Sequence, residues 1–241
     1  MVESQAVSAC ERPPAARPRN RKDPAVTLTL HYFPGNASFA PHVVLEELGV
    51  PFALSRVDRD RGAHKSPEYL QLNPNGLIPV LVDRDLVLYE TAAILLHLAD
   101  THAQAGLAPA VGTRERAEFY KWLVWLTNTL QPLLIAYYYP ERWVDAGNQD
   151  GAAQVRDSAQ ARIAPLLDQV EAQLARHAGP WLLGSRYSAA DPLLLVLCRW
   201  TRHFARPARS LPRLQAYLER MLARPAVQRA IAREQLPRPW V

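Results

Sequence analysis

Between residues 27 and 101 strand and helix patterns alternate, and beyond Gly112 strand patterns stop. This division constrains the fold most: a mixed sheet-and-helix unit must precede an all-helical one. Residues 27–32 alternate, with Leu28, Leu30 and Tyr32 on one face. Pro34-Gly35-Asn36 breaks that strand, and a helix follows with Ser38 at its N-cap and Pro41 in its first turn. Val44, Leu45 and Leu48 recur at helical spacing, Gly49 ends the helix and Pro51 confirms the stop. Residues 52–57 form a second strand. Strand, helix and strand within about 30 residues make a βαβ unit, so the two strands are expected to be parallel.

Ser66 and Pro67 open a short helix through Leu72, and Asn73-Pro74-Asn75-Gly76 is a turn. Residues 78–82 and 86–89 read as strands joined by a three-residue loop, Asp83-Arg84-Asp85. Thr91 is expected to cap a helix whose core face is Ile94, Leu95 and Leu98. A βαβ unit followed by a ββα unit resembles the thioredoxin-like arrangement, which gives an α/β domain over residues 27–102. Residues 102–112, with Gly106, Pro109 and Gly112, read as a linker, and 113–235 as an all-α domain. Within it, 114–139 is one long helix with a kink at Pro132. Ile163, Leu166, Leu167, Val170 and Leu174 form a second stripe containing Pro165, and 189–204, 214–222 and 226–233 complete the set. Ser188 and Asp191 are spaced as a capping box, which gives Asp191 a structural role.

Residues 1–26 carry four prolines and no apolar period, and are expected to be a disordered tail without a secretory signal. No apolar run approaches the roughly 18 residues of a membrane span. The net charge is +5, but the arginines are scattered and form no basic stripe with interleaved aromatics, which argues against nucleic-acid binding. Two cysteines, Cys10 and Cys198, rule out a disulfide framework, and the seven histidines lack zinc-type spacing, so no metal site is expected.

The first strand–helix turn, residues 32–42, has no cysteine, so the protein cannot supply a redox dithiol there. Tyr32, Asn36 and Ser38 at a helix N-terminus suit an anion, and the ligand can bring its own thiol. A free thiol has a pKa near about 8.5. Lowering it by about two units takes about 2.7 kcal/mol. One hydrogen bond to a charged group supplies about 1.5–3 kcal/mol, so a single hydroxyl suffices. Read alone, Ser38 reads first as a plain N-cap. Ile78-Pro79 is a candidate cis bond that leaves strand backbone open to an extended peptide, or an ordinary strand-edge proline. Glu90-Thr91 is a second carboxylate-binding location at a helix N-terminus, or a cap. Trp122, Trp125 and Tyr137-Tyr138-Tyr139 read as helix-core aromatics or as the lining of an apolar pocket.

Five segments in this order resemble the soluble two-domain glutathione transferases: residues 32–38, 73–80, 90–94, 181–191 and 224–227. The resemblance implies a glutathione co-substrate and no other cofactor. It implies a cis bond before Pro79, pairing of Ile78 with the cysteinyl backbone, and Glu90 and Thr91 at the γ-glutamyl end. Among bacterial forms it is similar to the beta class, with departures: Ala37 stands where that class has cysteine, and Val124 and Gln131 where it has asparagine and histidine. A mixed disulfide with glutathione is therefore unavailable, and Ser38 becomes the expected sulfur partner, with Tyr32 and Asn36 behind it. The expected activity is conjugation of the thiolate to a small, apolar electrophile by a cytoplasmic homodimer. The alternatives are a glutathione-dependent peroxidase or isomerase, or a non-catalytic binding protein of the same fold.

Overall fold

A computed structural model describes residues 28–177 and 179–241; the tail expected over residues 1–26 lies outside them. Four strands, β1 (Leu28–Tyr32), β2 (Phe52–Arg56), β3 (Val80–Asp83) and β4 (Leu86–Tyr89), form one sheet in the order β2-β1-β3-β4. β1 and β2 are parallel, joined through α1 (Phe39–Leu48); β3 is antiparallel to β1 and β4. Alternation along β3 splits the core. Leu81 joins the large cluster under α1 and α3 (Thr91–Thr101), while Val80 joins a small one with Tyr69 of α2 (Pro67–Leu72). This is the expected thioredoxin-like architecture, followed by helices only among the described residues.

Three local expectations are corrected. Asp83 pairs with Leu86, so the hairpin loop has two residues, not three, with Arg84 at φ 59°. Ser38 sits at the N-cap of α1 without making a capping bond, whereas Ser66 does accept one from Tyr69 N at 3.3 Å. The cap of α3 is Glu90, and Thr91 is its first residue.

The helical half contains α4 (Arg114–Trp125), α5 (Gln131–Tyr138), α6 (Gln149–Arg176), α7 (Ala190–Trp200), α8 (Pro212–Leu222) and α9 (Pro225–Glu234). The long helix expected over 114–139 is divided by a wide π turn, Leu126–Leu130, immediately before Pro132. Proline offers no N–H to the preceding turn, and the wider ladder absorbs that loss. Pro165 is accommodated inside an unbroken α6. α7 stops at Trp200 rather than Phe204, because the Thr201 hydroxyl turns back to the Cys198 carbonyl and accepts from Ala208 N.

α1 lies between the halves. It packs on α3 and on α7 and α9, which explains why eight of its ten residues are buried, His42 and Glu46 included. Arginines from α9 and its cap meet its acidic face: Arg224–Glu47 at 2.6 Å, Arg229–Glu46 and Arg233–Glu46 at 2.7 Å.

Candidate functional site

The sheet register gathers three loops at one edge. His31 pairs with Val80 and Val80 with Tyr89, so the end of β1, the start of β3 and the end of β4 are neighbours. Residues 33–38, 77–79 and 90–91 leave the sheet there. α5 and the end of α7 face the first two loops across a cavity of about 540 Å³.

The first turn is held tightly. Asn36 N donates to Phe33 O at 3.1 Å, and Ala37 N donates to Asn36 Oδ1 at 2.5 Å. Gly35, at φ 68°, takes a conformation that side chains disfavour. Its N–H donates to Glu234 Oε2 at 2.8 Å, and its carbonyl accepts from Trp200 Nε1 at 3.0 Å. The helical half therefore grips this turn from two sides. Ser38 is fully buried; its hydroxyl donates to Phe33 O at 3.1 Å and accepts from Phe33 N at 3.2 Å. A hydroxyl has one proton to give, and here Phe33 receives it. The Ser38 N–H, by contrast, has no acceptor among the described residues.

The sequence-derived candidates separate accordingly. Asn36 and Ile78 line the cavity; Tyr32 and Ser38 lie behind its wall in the core. The Tyr32 ring packs 6.2 Å from that of His42. The bond between Ile78 and Pro79 is cis, and the ladder begins only at Val80, so the Ile78 backbone is outside it. Its loop is fixed by Tyr69 Oη and Asn73 Nδ2, each donating to Leu77 O at 2.9 Å. Glu90 is exposed at φ 72° and Thr91 is buried, both at the same sheet edge but off the cavity wall. Gln131 lines the cavity, whereas Val124 faces solvent.

Of the aromatics that the sequence offered as an apolar lining, Tyr138 and Tyr139 line this cavity and Trp122, Trp125 and Tyr137 do not; sequence reasoning missed the rest of the opposite wall. Trp200, Tyr138, Leu134 and Ile135 make it apolar, and Arg59, Lys65, Arg142 and Arg202 make it positive. No Asp or Glu lines the cavity among the described residues. His64 registers that field: burial holds its imidazole below the usual range, and Arg59, Lys65 and Arg142 push it further down. These residues are scattered over 144 positions, and no local spacing could have joined them. Cys198 is no nucleophile: it is buried, and burial pushes its thiol up. Among the described residues no group of three or more His, Cys, Asp or Glu could hold a metal ion, and no helix is long and apolar enough to cross a membrane.

Comparison with known proteins agrees with this geometry. Residues 26–100 match the family described as Glutathione S-transferase, N-terminal domain, and residues 140–234 its C-terminal domain. A glutathione S-transferase of Xanthomonas campestris, GST-4.5, is 33% identical over 215 residues, covering 87% of this chain and 100% of the relative. The disulfide-bond oxidoreductase YfcG of Escherichia coli is 30% identical over 226 residues, covering 87% and 96%. A solved glutathione transferase homolog from Sulfitobacter, with bound glutathione, superposes with a TM-score of 0.81 at 29% identity, covering 88% and 100%. With both halves matched and relatives spanned end to end, this chain belongs to the glutathione S-transferase family.

Proposed function

We propose that the protein is a glutathione-dependent transferase that joins the glutathione sulfur to a small electrophile. The observation that carries this reading is one cavity bounded by the first strand–helix turn, by Ile78 at the unpaired end of β3, and by the apolar wall of α5 and α7. The peptide backbone of glutathione would pair at Ile78 beside Pro79, and its γ-glutamyl end would reach Glu90 and Thr91 along the shared edge. The thiol loses its proton to solvent, the thiolate attacks carbon, a C–S bond forms, and the leaving group departs with its electron pair. One donor at the turn supports an anion: the Asn36 amide, whose oxygen is already engaged with Ala37 N. In this reading Asn36 contacts the sulfur, Ser38 positions the turn, and Tyr32 is core.

The exposed Tyr120 and Val124 on α4 support a homodimer, and the expected location is the cytoplasm. Calorimetry with millimolar glutathione, a conjugation assay with an aryl chloride and light scattering test this reading. Expected are glutathione binding, release of chloride and twice the 27.1 kDa chain mass. Absence of glutathione binding sinks the transferase; disulfide reduction without conjugation would move the activity toward that named for the Escherichia coli relative.

A further inference from the structure

The four cations of the cavity differ from five arginines that join elements through ion pairs. Arg116, Arg206, Arg224, Arg229 and Arg233 each meet a carboxylate. Arg59, Lys65, Arg142 and Arg202 meet none among the described residues. Arg59 donates to Tyr139 Oη at 2.5 Å, and Lys65 to Asn75 O at 3.0 Å. The Arg142 guanidinium rests 4.1 Å from the centroid of the Tyr139 ring, and Arg202 donates to Arg199 O at 3.1 Å. Lys65 and Arg142 are exposed and solvated, whereas Arg59 and Arg202 are partly buried at the wall of a partly apolar cavity, where an anionic occupant gains most from positive charge.

The charges form two groups. Arg59 and Arg142 share the Tyr139 ring, and Lys65 stands beside Gly76, before Ile78. A peptide paired at Ile78 with its γ-glutamyl end toward Thr91 directs its terminal carboxylate the other way, toward this group. Arg202 belongs to a second locus. It follows Trp200, whose indole N–H holds Gly35 O and whose carbonyl accepts from Tyr138 Oη. That locus adjoins the turn assigned to the sulfur, and its surfaces are aromatic. Burial followed by the Arg202 charge lowers the neighbouring Arg199 to about 10, while Glu234 and Tyr138 oppose the shift.

We propose that the second substrate is a flat, apolar electrophile carrying a carboxylate or similar anionic group, with its body on Tyr138 and Trp200 and its charge on Arg202. This rests on the transferase reading above. It narrows the acceptor from any apolar electrophile to an aromatic acid.

The test compares 4-chloro-3-nitrobenzoate with 4-chloro-3-nitrobenzamide. In both, sulfur displaces chloride at the same activated carbon. Each kcat/KM is divided by the uncatalysed rate with glutathione, which removes the difference in intrinsic reactivity. The expected preference for the acid is about tenfold or more, the scale of one hydrogen bond between charged groups. Arg202→Gln should bring the ratio close to one, and Arg202→Lys should keep part of it. Quenching of tryptophan fluorescence in the presence of S-methylglutathione gives the binding of each probe without turnover, and should show the same preference. Equal binding of acid and amide, or a preference that survives Arg202→Gln, overturns the proposal while glutathione binding stands. Loss of glutathione binding in Arg202→Gln would instead assign this charge to the tripeptide, and also overturns it. No glutathione binding by the unaltered protein overturns the transferase reading itself, and the acceptor with it.

Discussion

The hydroxyl of Ser38 has one proton, and the carbonyl of Phe33 receives it. Ser38→Ala removes both bonds to Phe33 and leaves the part-buried Phe33 N–H unpaired, while Phe33 O keeps its bond from Asn36 N, so it should cost about 1–3 kcal/mol of stability. The thiol pKa of bound glutathione should barely move. Asn36→Ala should instead raise that pKa by about one to two units and cut activity near neutral pH about tenfold, with recovery as pH rises. Ultraviolet thiolate absorbance against pH, alongside urea denaturation, separates the two. A thiol curve that follows Ser38 and ignores Asn36 would reverse the roles. The sequence singled out the turn that lines the cavity, because Pro34, Gly35 and a helix start are local signals. It could not tell which side chain of that turn points outward, because Ser38 turns inward to a backbone five residues away, a choice made by packing.

At the scale of elements, periodicity and punctuation located β1, α1, β2 and α2 well, since glycine and proline mark their ends. The same signals failed where the cause was distant. α7 ends early through Thr201 and Ala208, and the split between α4 and α5 is a matter of ladder width. The entry to α7 was legible: Asp191 accepts from Ser188 N at 2.8 Å and Ser188 Oγ at 3.1 Å, as the spacing implied. It also accepts from Leu182 N at 3.0 Å and Tyr217 Oη at 3.2 Å, which the spacing did not reveal. Burial pushes this carboxyl up to about 6, although those four donors oppose the shift. A raised folded pKa means that protonation favours the native state. The contribution is complete below the unfolded value near 3.8 and is lost as pH rises through about 6. Urea midpoints should therefore give the natural protein a larger advantage over Asp191→Asn at about pH 4.5 than at about pH 7.5. A difference that grows with pH would contradict the assignment.

Across the whole molecule, α9 closes on α1 through charge. Burial raises the Glu46 carboxyl, but hydrogen bonds from Arg229 and Arg233 outweigh it and hold the group below its ordinary 4.5. Its contribution is present above that value and fades as acid protonates it, opposite in sign to Asp191. The end of α9 reaches furthest: Glu234 bonds His42 Nδ1 at 2.8 Å with one oxygen and the Gly35 N–H with the other. Glu234→Ala should lower stability on the order of 3 kcal/mol, as loss of one buried partner does. It should also slow turnover more than Arg224→Ala, which loosens the same helix without touching the turn. Equal effects on kcat for the two variants, measured below their unfolding temperatures, would deny Glu234 that link. The tether also sets an order of events during synthesis. Gly35 and Glu234 are 199 residues apart. At about 5–20 residues per second the ribosome needs roughly 10–40 s to pass from one to the other. Once residue 101 has been made the sheet half can form while its reacting turn still lacks the Glu234 anchor, so this half acquires its shape before it acquires a finished centre for chemistry.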